Sequence, residues 1–241
     1  MRTHIKDPSI TVIMETVGSH QDKIVRSIKS VMAQTYTNRK LLIINYHPQR
    51  LQLCGNVPAG IEVLNLEDVY PRHVYQHINN LKQVDTDCWT ICDDDDWIDP
   101  NHLQDMVDVW NAVTDRTDAP LQVCGRNYKV HYENRIEDMS FRGWAVSLFE
   151  RLTPSEVDYC YKLFPAENTL GSDTWIAWNS YYDKREFDGK HSYHWDRIDN
   201  NHVSQHETNR GDTPKAKFEQ ALNFWRIKLE ARSQELEPVA L

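Results

Sequence analysis

Short apolar runs alternate with helical stripes over the first 115 residues. Residues 9–15 (SITVIME) are apolar and β-branched and read as a buried strand, closed by a polar loop over 16–21. Residues 23–34 then carry Ile24, Val25, Ile28, Val31 and Met32, the i, i+3, i+4, i+7 spacing of an amphipathic helix. The run 35–38 breaks that helix. Residues 41–44 (LLII), 61–66 (IEVLNL) and 88–92 (CWTIC) read as three further strands. Pro71 is placed to start a helix through about residue 84, and Pro100 another, with Leu103, Met106, Val107 and Trp110 along one side.

This alternation predicts a βαβ series and an α/β fold with one mostly parallel central sheet flanked by helices. In such sheets ligands bind beyond the carboxyl ends of the strands. After residue 120 the pattern loosens. Residues 121–132 read as one long strand or a hairpin arm, 154 onward and 172–182 as short helices, and 192–206 as a strand plus a loop rich in His, Tyr, Trp, Asp and Asn. Residues from 213 form a last helix striped by Phe218, Ala221, Leu222, Trp225 and Leu229. The expected organisation is a single domain over 1–241. Its nucleotide-binding half spans about 9–115, its less regular acceptor and catalytic half about 116–212, and its terminal helix 213–241.

Composition narrows the function classes. Five cysteines (54, 88, 92, 124, 160) without a Cys-x-x-Cys pair argue against a disulfide framework or a structural zinc site. A formal net charge of −9 argues against a nucleic acid held by the overall field. No run approaches the roughly 20 apolar residues that span a bilayer, and the first residues lack a signal-peptide core, so a soluble cytoplasmic protein is expected.

The conspicuous chemistry is Asp93-Asp94-Asp95-Asp96, directly after the fourth strand. Four adjacent carboxylates repel one another and serve no purpose in folding. A solvated turn is the plain reading. Carboxylates at a strand's end also suit Mg²⁺ or Mn²⁺ bound through oxygen, where the ion neutralises a departing diphosphate.

Residues 27–38 (SIKSVMAQTYTN), followed by 40–44 (KLLII), resemble the opening of family-2 glycosyltransferases of the GT-A, Rossmann-like fold. Residues 92–100 (CDDDDWIDP) are similar to that family's Asp-x-Asp-Asp-Trp block, and Gly171-Ser-Asp-Thr-Trp175 to its later acidic motif. The resemblance implies a metal-dependent, inverting transfer of a sugar from a nucleotide sugar, with a UDP-sugar favoured, to a hydroxyl acceptor. It makes Asp95 the principal metal ligand, Asp93 a ligand or ribose contact, Asp94 part of the nucleotide site and Asp96 a support. Asp173 becomes the general base. His202, ahead of His206, completes the metal or diphosphate site as neutral imidazole or imidazolium.

The chain departs from the family at two places. Where an acidic base contact is usual it has Asn45 and Tyr46, which suit a uracil edge and a stacked base, and its altered first loop offers Glu15 and Thr16 as candidate nucleotide contacts. Trp97, Trp144 and Trp175 are candidate acceptor contacts, since pyranoses present apolar faces to aromatic rings. The expected acceptor is a glycan or glycolipid, with a hydroxymethylated DNA base as the minority reading. Two rival classes are a nucleotidyltransferase with strand-end aspartates and a non-catalytic carbohydrate or metal-binding module. The first lacks a Gly-rich phosphate loop and the second lacks EF-hand spacing.

Overall fold

The computed structural model describes residues 2–16, 21–46, 59–66, 80–125, 127–140, 146–163, 182–187 and 192–196. The chain divides into two compact units: Met1–Tyr70 with Val84–Arg151 and Asp183–Ile198, and Pro71–Gln83 with Leu152–Tyr182 and Asp199–Leu241.

In the first unit, β1 (Ile10–Thr16), β2 (Arg39–Asn45), β3 (Ile61–Asn65) and β4 (Cys88–Ile91) are mutually parallel, in the order β4-β1-β2-β3. Helix α1 (Gln21–Met32) makes the β1–β2 crossover, and α2 (His102–Ala112) follows the two-residue β5 (Trp97–Ile98). Beyond β4 the sheet continues through β9 (Ser147–Glu150), antiparallel to both its neighbours, to β6 (Leu121–Gly125) and β10 (Asp183–Phe187). Ile10, Val12, Met14, Leu41, Ile43, Cys88, Val123 and Leu148 pack with Ile24 and Val31 of α1 and Leu103, Met106, Val107 and Trp110 of α2 in one core. Both sides of these strands are buried, since Ile13, Leu42, Ile44, Trp89 and Phe149 are also covered. That is why they read as continuous apolar runs.

The expectation of one central sheet of GT-A type is corrected. A second sheet, in the order β5-β11-β7-β8, is built from β5, β7 (Asn127–Tyr132), β8 (Arg135–Ser140) and β11 (Tyr193–Asp196). The run 121–132, expected as one strand or hairpin arm, is divided between the sheets. β6 ends at Gly125, where a Cβ would lie 3.1 Å from the Val146 carbonyl oxygen and 3.2 Å from the Phe187 ring. β7 alternates polar with apolar residues and β8 and β10 are mostly polar, so they lack the sustained apolar signal of β1, β2 and β4.

Helix α1 begins two residues earlier than expected, at Gln21, and Val25 is half exposed on its outer face. The guanidinium of Arg39 donates to the Val31 carbonyl at 2.8 Å and to that of Met32, satisfying the orphan acceptors of its last turn. In the second unit, α3 (Pro154–Leu163) starts with a capping box. The Thr153 backbone N–H donates to the Glu156 carboxylate at 2.7 Å, and the Glu156 N–H to Thr153 Oγ1 at 3.3 Å. A 3-10 turn at Leu81–Gln83 is the described part of the helix expected from Pro71. The helices expected over 172–182 and from 213 lie outside the described residues, except for Tyr182.

Candidate functional site

Parallel pairing brings the carboxyl ends of β1, β2 and β4 to one edge. Thr16 and Asn45 are register partners, the Tyr46 N–H donates to the Thr16 carbonyl at 2.9 Å, and the Cys92 N–H to that of Ile13 at 3.0 Å. Glu15, Thr16, Asn45, Tyr46, Asp93 and Asp94, read as nucleotide contacts, therefore belong to one edge of the sheet. Contacts among them are specific. Thr16 Oγ1 donates to Asp94 Oδ2 at 2.6 Å, Asn45 Nδ2 to Asn65 Oδ1 at 2.8 Å, and the Tyr46 hydroxyl lies 3.5 Å from Glu15 Oε1. Thr16, Asn45 and Tyr46 are themselves buried.

The aspartate run is a turn between β4 and β5, closed by the Asp96 N–H donating to the Asp93 carbonyl at 3.2 Å, and it is not uniformly exposed. Burial alternates from residue 91 to 99, with Cys92, Asp94, Asp96 and Ile98 inward and Asp93, Asp95, Trp97 and Asp99 partly exposed. Asp96 is 1% exposed, accepting the Tyr193 hydroxyl at 2.5 Å and the Asp196 N–H at 2.8 Å. Burial drives its pKa well above the ordinary carboxylate range. The Asp93 and Asp95 charges push the same way, and the two donors oppose them. The Tyr193 hydroxyl is raised too, by burial first and by Asp96 next. Two of the four acids are thus turned into the protein, and Asp93 and Asp95 are the outward pair.

What shapes the turn comes largely from α1. Ser27 Oγ lies 3.0 Å from the Asp94 carbonyl and within hydrogen-bond distance of that of Asp96; Arg26 Nη2 donates to the Asp95 carbonyl at 2.5 Å. Arg26 Nη2 also meets Asp196 Oδ2 at 2.6 Å, and Lys23 Nζ lies 3.6 Å from Asp196 Oδ1. Downstream, Gln34 Nε2 donates to the Asp99 carbonyl at 2.7 Å while its Oε1 accepts the Leu103 N–H at 3.0 Å. Sequence reasoning did not single out Arg26, Tyr193 or Asp196, and took Ser27 only as the first residue of the family-like motif. Ser27 did leave a signal, as a polar residue three positions after Ile24 on the buried side of α1.

Trp97 stacks on His194, with centroids 4.9 Å apart and planes at 9°, and the Arg26 guanidinium lies 4.0 Å from its ring centre. His194 continues a polar chain: His131 Nε2 to His194 Nδ1 at 2.8 Å, and His194 Nε2 to Asp99 Oδ1 at 3.0 Å. Burial lowers the pKa of both imidazoles. For His131 the neighbouring His194 adds to this, and for His194 Asp99 opposes it. A Trp97 with its ring so occupied holds β5 against α1 and β11.

Asp173, His202, His206, Trp144 and Trp175 lie outside the described residues. The expectation of a Mn²⁺ or Mg²⁺ centre is corrected for the described residues alone; of its expected ligands Asp95 and Asp93 are described, and His202 lies outside them. Among the described residues no group of three or more His, Cys, Asp or Glu side chains is arranged to hold a metal ion. The physical reason is the alternation, which commits Asp94 to Thr16 and Asp96 to Tyr193 and Asp196.

No known family model matches the chain, and no curated protein matches it. Solved structures do. The chain is similar to S. aureus TarS 1-349 in complex with UDP-GlcNAc, with a TM-score of 0.54, 14% identity and coverage of 93% of this chain and 66% of that one. The complex with UDP gives 0.52, 14%, 92% and 70%. A further TarS 1-349 structure gives 0.52 and 14%, with 80% of this chain and 60% of that one covered. The chain thus spans about two thirds or less of two of these three structures. Identity this low speaks for the fold alone. The assignment to family 2 with a GT-A fold, drawn from short motifs, does not stand, because the strands form two sheets rather than one.

Proposed function

We propose that the chain is a glycosyltransferase that moves a sugar from a nucleoside diphosphate sugar, a UDP-sugar foremost, to a hydroxyl of a glycan-type acceptor. The observation that carries the reading is the outward pair Asp93 and Asp95 at the carboxyl edge of β4, beside the ends of β1 and β2. This is where doubly wound sheets bind ligands. The fold likeness to TarS structures holding UDP and UDP-GlcNAc supports it. In this reading Glu15, Thr16, Asn45 and Tyr46 border the base and ribose, Asp93 accepts a ribose hydroxyl, and Asp94 fixes Thr16.

Chemically, the acceptor oxygen attacks the anomeric carbon as the bond from that carbon to the diphosphate oxygen breaks. Asp173 takes the acceptor's proton from the opposite face, which gives inversion in one displacement. His202, as imidazolium, would meet charge on the departing diphosphate. Of the three candidate tryptophans, Trp144 and Trp175 remain for the acceptor, since the Trp97 ring is engaged within the protein.

The test is calorimetry with UDP and UDP-sugars, with and without chelator, followed by nucleoside diphosphate release with glycan acceptors. Asp173→Asn should lower turnover by about 10²–10⁴-fold while leaving donor affinity unchanged. Absence of any nucleotide or nucleotide-sugar binding would remove the reading, and release of pyrophosphate would replace it with nucleotidyl transfer.

A further inference from the structure

The carbonyls of Asp94, Asp95 and Asp96 all meet side chains of two consecutive α1 residues, Arg26 and Ser27. Ser27 is fully buried, and its hydroxyl meets main-chain carbonyls, those of Lys23, Asp94 and Asp96. Arg26 differs. Its side chain is 40% exposed, and its guanidinium joins three elements at once: the Asp95 carbonyl of the turn, the Asp196 carboxylate of β11 and the ring of Trp97 in β5. Asp196 in turn donates its backbone N–H to Asp96. The chain of contacts therefore closes on itself, from Arg26 through Asp196 to Asp96 and back through the Asp95 carbonyl.

We propose that Arg26 is a positioning residue for the outward carboxylates Asp93 and Asp95. A planar guanidinium is suited to this, because it can stack on an indole while its N–H groups address two acceptors in the same plane. A lysine would keep the attraction to Asp196 and lose the stacked, forked geometry. The backbone at Asp95 sets where the flanking carboxylates point. Loosening it spreads their orientations, and the donor then has to order them when it binds. The cost falls on donor binding more than on the chemical step. This rests on the glycosyltransferase reading for its ligand, and the geometry can be tested without one.

The experiment measures amide hydrogen exchange over residues 93–98 in wild type, Arg26→Ala and Arg26→Lys. UDP-sugar KM and kcat are then measured on the same preparations. Arg26→Ala should speed exchange across the segment and raise donor KM by roughly tenfold, with kcat changing by less than about threefold; Arg26→Lys should fall between. Unchanged exchange in Arg26→Ala overturns the proposal, whatever the enzyme does. Faster exchange with unchanged KM and a lowered kcat also overturns it, because that split signifies a smaller active fraction. If wild type binds no nucleotide, the functional reading fails by itself and the exchange result still decides the positioning role. Should Arg26→Ala not fold, Arg26→Lys and Asp196→Asn carry the same comparison.

Discussion

Replacing Gln34 by leucine should destabilise the protein by about 2–4 kcal/mol. The residue is 4% exposed and works as a two-sided bracket. Its amide donates to the carbonyls of Ser30 at 3.1 Å and Asp99 at 2.7 Å, and its oxygen accepts the Leu103 N–H. Leu103 is the second residue of α2, where backbone N–H groups have no partner within the helix, and the N-cap Asn101 makes no side-chain cap bond. Gln34 therefore caps α2 from another helix. Leucine removes three hydrogen bonds, worth roughly 0.5–1.5 kcal/mol each, and strands a buried N–H whose desolvation costs about 1–3 kcal/mol. The Asp99 carbonyl keeps the His102 N–H at 3.0 Å, and burial of the leucine offsets part of the loss, which holds the total near the middle of the range. Urea denaturation at pH 7, with the transition followed by tryptophan fluorescence and circular dichroism, measures the difference. Gln34→Glu retains the acceptor for Leu103 and loses both donor bonds, so it should keep more of the capping contribution than Gln34→Leu. A loss below about 1 kcal/mol for leucine, with unchanged denaturant slope, would refute the bracket.

Two further outcomes follow from the same geometry. Gly125→Ala should cost about 1–3 kcal/mol in the same denaturation assay, since the new methyl meets the Val146 carbonyl and the Phe187 ring at closer than ordinary contact; a neutral result would mean that the strand shifts freely there. The pKa values of His131 and His194 are lowered in the folded state, so below the ordinary histidine value the unfolded chain binds protons that the folded chain does not. Their contribution is intact above that value and is lost as pH falls through it toward their folded values. His194→Gln should flatten this part of the stability–pH curve between about pH 7 and 5, and an identical curve for the variant would exclude the pair as its source.

Much of the first sheet could be read from the sequence because burial on both faces of β1, β2 and β4 leaves runs that are mainly apolar. β1, β2, β3 and β4 begin or end within two residues of the runs that announced them. The second sheet was legible only in part: strands were expected where β7 and β11 lie, but not β5 or β8, nor that the four form a separate sheet. β5 is two residues long, β8 reads RIEDMS with Ile136 62% exposed, and β11 reads YHWD, so pairing rather than composition makes them strands. The motif at 34–38 was legible for the wrong reason. Gln34 caps α2, Thr35 donates its N–H to the Pro100 carbonyl at 2.7 Å, and the Tyr36 hydroxyl reaches the Pro8 carbonyl at 2.7 Å. It is a buttress behind the candidate site and makes no described contact with the aspartate side chains. At the candidate site the sequence reading named residues at the strand ends, but charge counting could not separate four identical acids into an inward and an outward pair. That division depends on Thr16, Tyr193 and Asp196, two of which are about 100 residues away in sequence.

The alternation along 92–98 has a consequence for register. Because buried and partly exposed side chains alternate along this turn, a shift of one residue would exchange inward for outward positions. Within Asp93-Asp94-Asp95-Asp96 such a slip would put aspartate in place of aspartate, so the run cannot tell its own frame. The frame is read at the flanks, from Cys92, which must be buried, and from Trp97, which must meet Arg26 and His194. Substituting inside the run breaks the degeneracy and gives the segment an address it lacks in the native chain. An alanine scan of these four positions therefore reports on the frame as well as on the carboxylates.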